Sequence, residues 1–174
     1  GQQQPCSVSL SATEESATFS CATPLLPGPA RLHIAFAGPL APTMHGMYLS
    51  TDGVHRAICT QCEATDARAI FPCFDEPEFK AELKWTLRTK PGLVALTNGP
   101  VSERHEHTDS AGNPEQVVAF QPTKPVSSYL AAVAIGDFES SPEVFVRDIP
   151  LRVYAPRGKG AQTAYAQALS ARLL

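Results

Sequence analysis

The densest run of chemistry-bearing side chains is Thr60-Gln61-Cys62-Glu63-Ala64-Thr65-Asp66-Ala67-Arg68, continued by Phe71-Pro72-Cys73-Phe74-Asp75-Glu76-Pro77. Residues 55–63 read as an extended strand, and side chains on a strand alternate faces. Cys59, Gln61 and Glu63 then share one face, and Ile58, Thr60 and Cys62 the other. Gln61 and Glu63 would stand side by side, an amide acceptor next to a carboxylate. An ammonium group, with three donors and no acceptor, suits such a pair. The competing reading is the polar outer face of an ordinary strand.

The residues that follow read as a scaffold. Thr65 is placed to cap a short helical turn, and Asp66 adds a carboxylate at its positive end. Arg68 can pair with Asp75 or Glu76 and tie the turn together, while Pro72 and Pro77 fix the backbone on either side. Cys59-Thr60-Gln61-Cys62 spells C-x-x-C, with Cys73 nearby. Residues three apart on a strand point to opposite faces, so the two sulfurs are not expected to chelate one metal. A thiol-based metal or redox module through Cys59, Cys62 and Cys73 is carried only as a third hypothesis. His105-Glu106-His107, followed by Asp109, reads as a solvated hairpin end. H-E-x-x-H occurs nowhere in the sequence, nor does G-x-S-x-G or a phosphate loop.

The motif resembles the N-terminal domain of the gluzincin aminopeptidases, the zinc family of aminopeptidase N and the puromycin-sensitive aminopeptidase. Upstream, Phe36-Ala37-Gly38-Pro39-Leu40 and Met44-His45-Gly46-Met47-Tyr48-Leu49-Ser50 resemble another block of that family. Downstream, so do Pro125-Val126-Ser127-Ser128-Tyr129-Leu130, Ile135-Gly136-Asp137-Phe138-Glu139 and Leu151-Arg152-Val153-Tyr154-Ala155-Pro156. The family commonly has Arg where this chain has Leu49 and Ala69. The resemblance implies that Gln61 and Glu63 contact the free α-amino group of a peptide substrate. It also implies a zinc ion in the full-length enzyme, held outside this chain.

Composition sets the outer limits. The chain has 174 residues, 43% of them hydrophobic, which suits one globular domain with a core. A net charge of −3 gives no electrostatic case for nucleic acid, and no apolar run is long enough to span a membrane. The cysteine count of 5 is odd, and no Asn-x-Ser/Thr sequon occurs, which leans towards the reducing cytosol.

The elements that must position the motif read as short strands and turns, with 16 prolines and 11 glycines between them. Residues 7–11 and 17–21 form a hairpin around 13–16. Residues 31–37 alternate, with Leu32, Ile34 and Phe36 inward and His33 outward. Residues 79–88 give the cleanest strand: Phe79, Ala81, Leu83, Trp85 and Leu87 face the core, so a charge at Leu83 should unfold the sheet. Residues 93–97, 101–107 and 116–120 follow, with Asn98-Gly99 as a hairpin signal. The small-apolar run 128–135 reads as a strand covered on both faces, and 144–147 and 151–154 as two short strands. From Ala161 a helix begins, with Tyr165, Leu169 and Leu173 on one face.

The expected architecture is all-β, an antiparallel β-sandwich or saddle-like domain with the start of a C-terminal helix. Residues 1–157 are expected to form the N-terminal domain of an aminopeptidase, incomplete at its own N-terminus. Residues 158–174 are expected to lead towards a catalytic domain that is not in the chain. The expected function is to anchor peptide substrates by their N-terminus, with the protein's own catalytic domain as partner and the fragment itself inactive. A non-catalytic β-sandwich interaction module is the alternative, engaging a partner through the sheet face opposite residues 79–87.

Overall fold

The computed structural model describes residues 3–174, and the first two residues lie outside the described part. It is an antiparallel β structure with one C-terminal helix. A hairpin of β1 (Cys6–Ser11) and β2 (Ser16–Cys21) comes first, in the register Cys6 opposite Cys21. These two cysteines are joined as a disulfide, leaving Cys59, Cys62 and Cys73 as free thiols. β3 (Gly46–Thr51) and β4 (Arg56–Gln61) form the hairpin that leads into the motif. β5 (Thr86–Thr89), β6 (Val94–Thr97), β7 (Val101–Thr108) and β8 (Pro114–Phe120) follow. β9 (Val133–Gly136), β10 (Phe138–Ser140), β11 (Val144–Val146), β12 (Ile149–Leu151) and β13 (Tyr154–Pro156) complete the strands, and α1 (Thr163–Leu173) is the helix.

Two sheets make the body. One has the order β3-β4-β9-β6, the other β5-β8-β7. Ala95 on β6 and Ile135 on β9 pack against Val118 and Phe120 on β8 and Leu87 on β5, so this core lies between the sheets. A second cluster, Cys62, Ala67 and Ala131, gathers Ile70, Phe71, Leu83 and Tyr129 beneath the motif. Trp85 packs against both clusters and meets Phe71 edge-on, with ring centroids 5.8 Å apart. Full burial of a large apolar side chain is worth about 2–3 kcal/mol, so Phe120, at 1% exposure, contributes on that scale.

Several sequence expectations need correction. Residues 79–85 are extended but not a regular strand. Ala81 makes an isolated bridge to Val126, and Leu83 bonds Thr123 instead of a ladder partner. Inward alternation holds for Leu83, Trp85 and Leu87 but fails for Ala81 and for Phe79, which is 53% exposed and lies against Phe74. Leu83 therefore supports the motif cluster rather than a sheet. The run 128–135 is no single strand: Ser128–Leu130 is a 3-10 turn and only Val133–Gly136 is β. Residues 31–37 make no ladder, and Leu32 and Phe36 are exposed at 55% and 59%. Asn98-Gly99 does not turn a hairpin, because β6 and β7 belong to different sheets. Instead the Asn98 amide donates to Leu130 O and accepts from Ala132 N–H, tying the crossing chain to the entry of β9. A side chain at Gly99 would place its Cβ 2.3 Å from Gln121 O.

The strand expected over residues 151–154 is not formed as one element: β12 ends at Leu151 and β13 begins at Tyr154. The first hairpin forms, β7 is exposed along its whole length, and His105 and His107 pair at the surface with Glu103 and Glu115. Residues 158–174 are docked on the β structure. Lys159 pairs with Asp52, Gly160 N–H donates to Glu139, and Gln167 donates to Pro142 O. Within α1 the predicted apolar face is open: Tyr165 and Leu173 are 78% and 79% exposed. Among the described residues no helix is long and apolar enough to cross a membrane.

Candidate functional site

β4 delivers Gln61 as its last residue, opposite Gly46 at the start of β3. Gly46 has φ +59, and a Cβ there would lie 3.0 Å from Ala69 Cβ, so β3 starts tight against the turn inside the motif. The chain then turns. Asp66 N–H donates to Cys62 O at 2.9 Å and closes residues 62–66 around Glu63. Glu63 is thus past the strand, which was expected to run over residues 55–63 and instead covers Arg56–Gln61. The reason lies in Cys62, which is 2% exposed. Its thiol donates to Ala131 O at 3.3 Å, so the backbone folds over the core there instead of extending the ladder. Gln61 and Glu63 stand on either side of that buried residue, both exposed.

The polar groups of the motif divide sharply. Thr60 Oγ1 accepts from Val133 N–H at 2.9 Å and reaches Ala131 O at 3.3 Å. Asp75 is 6% exposed and takes three hydrogen bonds: from Arg68 N–H (3.0 Å), Arg68 Nε (3.2 Å) and Ser128 Oγ (2.5 Å). Burial pushes the Asp75 carboxyl up, but the bonds from Ser128 and Arg68 outweigh it and hold it below the usual carboxylate range. Arg68 also donates to Asp75 O and to Glu15 at the tip of the first hairpin. These partners raise the Arg68 guanidinium above its ordinary value. Of the two predicted partners for Arg68, Asp75 is the one used and Glu76 is not. Glu15 was not foreseen, and nothing local in the sequence signals a pairing across 53 residues. Thr65 does not cap the 3-10 turn Ala67–Ala69. Asp66 occupies that N-cap position without a capping bond and binds His45 Nδ1 instead, at 2.9 Å.

Among the described residues, neither Gln61 nor Glu63 has a hydrogen-bond or ion-pair partner for its side chain. They present a carbonyl oxygen and a carboxylate to solvent, the acceptors that a primary ammonium needs. The thiols do not make a metal centre. Burial pushes the Cys62 thiol up to about 11, and Asp75 adds to it, so it offers no thiolate near neutral pH. No group of three or more His, Cys, Asp or Glu side chains suited to a metal ion converges among the described residues. The donors present do not fit zinc, and no chemical step is routed through a metal on this chain.

Comparison with known proteins gives the arrangement its context. Residues 2–130 match the family model described as the peptidase M1 N-terminal domain. The chain belongs to the M1 peptidase family. Among its relatives, aminopeptidase M1-A of Oryza sativa is 40% identical over 152 residues, covering 84% of this chain and 17% of that protein. Human endoplasmic reticulum aminopeptidase 1 is 36% identical over 178 residues, covering 99% of this chain and 18% of that protein. Aminopeptidase N of Acetobacter pasteurianus is 33% identical over 165 residues, covering 92% of this chain and 45% of that protein. The chain therefore spans less than half the length of each. Its motif, 60–77, lies wholly within the matched M1 region.

Proposed function

We propose that this M1 domain anchors the substrate of a zinc metallo-aminopeptidase that removes N-terminal residues from peptides. In this reading Gln61 and Glu63 receive the peptide α-ammonium and set the register of an exopeptidase. The observation that carries it is the contrast within the motif. Thr60, Asp66, Arg68 and Asp75 all find partners inside the chain, whereas Gln61 and Glu63, two residues apart, are exposed and have no side-chain partner among the described residues. A carboxylate next to an amide oxygen favours a cationic, multiply donating group over a neutral one. Residues 1–157 form the anchoring unit and 158–174 lead towards a separate catalytic domain, which holds the zinc and is this domain's partner. That ion would polarise the scissile carbonyl and activate water. The isolated chain is inactive.

The test is Glu63→Ala in the full-length protein, assayed on an aminoacyl reporter with a free amino group. We expect kcat/KM to fall by about 2–4 kcal/mol in transition-state stabilisation. An unchanged value removes Glu63 from the site. A full-length protein without any aminopeptidase activity would leave the non-catalytic interaction module as the surviving reading.

The compartment proposed from sequence is the cytosol, and the Cys6–Cys21 bond weighs against it, since oxidising compartments are where such bonds persist. Alkylation of the denatured, unreduced protein decides the matter. Labelling of the 3 free thiols alone means the bond is made in place. Labelling of all 5 cysteines means a reducing compartment.

A further inference from the structure

The turn that carries Glu63 is held from two sides. On its inner side Arg68 and Asp75 fix the residues that follow it. On its outer side, among the described residues, one side-chain hydrogen bond does so: His45 Nδ1 lies 2.9 Å from Asp66 Oδ2. An ionised carboxylate only accepts, so the imidazole donates from Nδ1. Asp66 is the residue whose N–H closes the turn onto Cys62 O, and Glu63 sits inside that closure. His45 also immediately precedes Gly46, the register partner of Gln61. The same short segment therefore touches both anchors, Gln61 through the ladder and Glu63 through Asp66.

We propose that His45 is a positioning residue for the ammonium-anchoring pair. It holds Asp66 and, through the closed turn, fixes where the Glu63 carboxylate stands relative to Gln61. This inference rests on the anchoring role proposed above for those two residues. His45 acts only through Asp66 and makes no contact with substrate. Its side chain is 67% exposed and belongs to neither core cluster, so replacing it leaves the packing of the domain intact.

The experiment uses the full-length protein and the same free-amino reporter, with Glu63→Ala as reference. His45→Ala is expected to raise KM about threefold to tenfold, the range of one hydrogen bond, with kcat within about twofold and Tm unchanged. His45→Asn is expected to restore KM, because its amide nitrogen occupies the place of Nδ1. His45→Gln is not, because its donor reaches the place of the other ring nitrogen. A role confined to stability would move Tm and would not separate Asn from Gln. If Glu63→Ala is strongly impaired while His45→Ala keeps the normal KM, the positioning role is overturned and the anchoring role stands. If Glu63→Ala is itself unimpaired, the anchoring role fails and this inference falls with it. Should His45→Ala prove unstable, the Asn and Gln variants alone carry the comparison, and equal KM values for the two would refute it.

Discussion

At one end of the motif Arg68 and Asp75 are partnered within the chain, and at the other Gln61 and Glu63 find no side-chain partner among the described residues. Arg68 itself lies in the 3-10 turn Ala67–Ala69, only five residues after Glu63. The buried end obeys a strict rule, since a buried carboxylate without donors would cost more than the domain can spare. The exposed end obeys no such rule, because water satisfies Gln61 and Glu63 at no cost to the fold. The difference teaches where to look for function in a polar cluster. Charges that the fold consumes are scaffold, and charges that it holds in place without using are available to a ligand.

The contrast can be broken most forcefully at Asp75. Asp75→Ala removes the acceptor of three hydrogen bonds, from Ser128 Oγ and from the Arg68 N–H and Nε, while Arg68 keeps Glu15 and the carbonyl of residue 75. Urea unfolding should register a loss of about 3–5 kcal/mol, and a loss under 1 kcal/mol would mean the pair is not structural. Glu63→Ala should do the reverse, leaving unfolding untouched while kcat/KM falls as stated above. If it also destabilised the domain, the two ends would not be separable.

Acid should then distinguish them by pH. The folded-state Asp75 carboxyl lies below its ordinary value of 3.8. Its contribution is therefore complete above that value and is lost as pH falls through the depressed one. Asp52, lowered to about 2 by its hydrogen bond to Lys159 and by the His55 backbone, adds to the same window. Melting curves of the parent chain should drop steeply below pH 4, and those of Asp52→Asn less so. A parent Tm that is flat from pH 5 to 2 would contradict both assignments. The smallest effect is expected at Glu15, whose carboxylate meets Arg68 at the surface with 64% exposure. Glu15→Ala should move Tm by at most about 3 °C, and raised salt should erase the difference.

Much of this was legible in the sequence, for identifiable reasons. The first hairpin, β7 and β8 were readable because turn residues bound each run; Asp109, for example, accepts from the N–H groups of Ala111 and Asn113. A pairing of Arg68 with Asp75 or Glu76 was readable because Pro72 and Pro77 fix the backbone around them, whereas the choice of Asp75 follows from its burial against Ser128. The end of β4 was not, because the alternation of Gln61 and Glu63 carries on past Cys62, and only burial of Cys62 beneath Ala131 stops the strand. Residues 31–37 show the converse failure: Leu32, Ile34 and Phe36 alternate well, yet alternation describes a strand only if another strand lies alongside. Asn98-Gly99 is a good hairpin signal in isolation, and tertiary context uses the same two residues to cross between sheets. His45 and Glu15 drew no attention because their partners, Asp66 and Arg68, lie far along the chain.

The order β3-β4-β9-β6 has a consequence for how the protein is made. β9 sits between β4 and β6, yet it is the last of the four to leave the ribosome. Until residues 133–136 emerge, the hairpin of β3 and β4 and the lone β6 each expose an open edge of unpaired N–H and C=O groups. A nascent chain halted at residue 130, where the family match stops, would carry the whole motif and still lack the strand that joins its sheet. Such a chain is expected to self-associate or recruit a chaperone, and release of a few further residues should be enough to end that dependence.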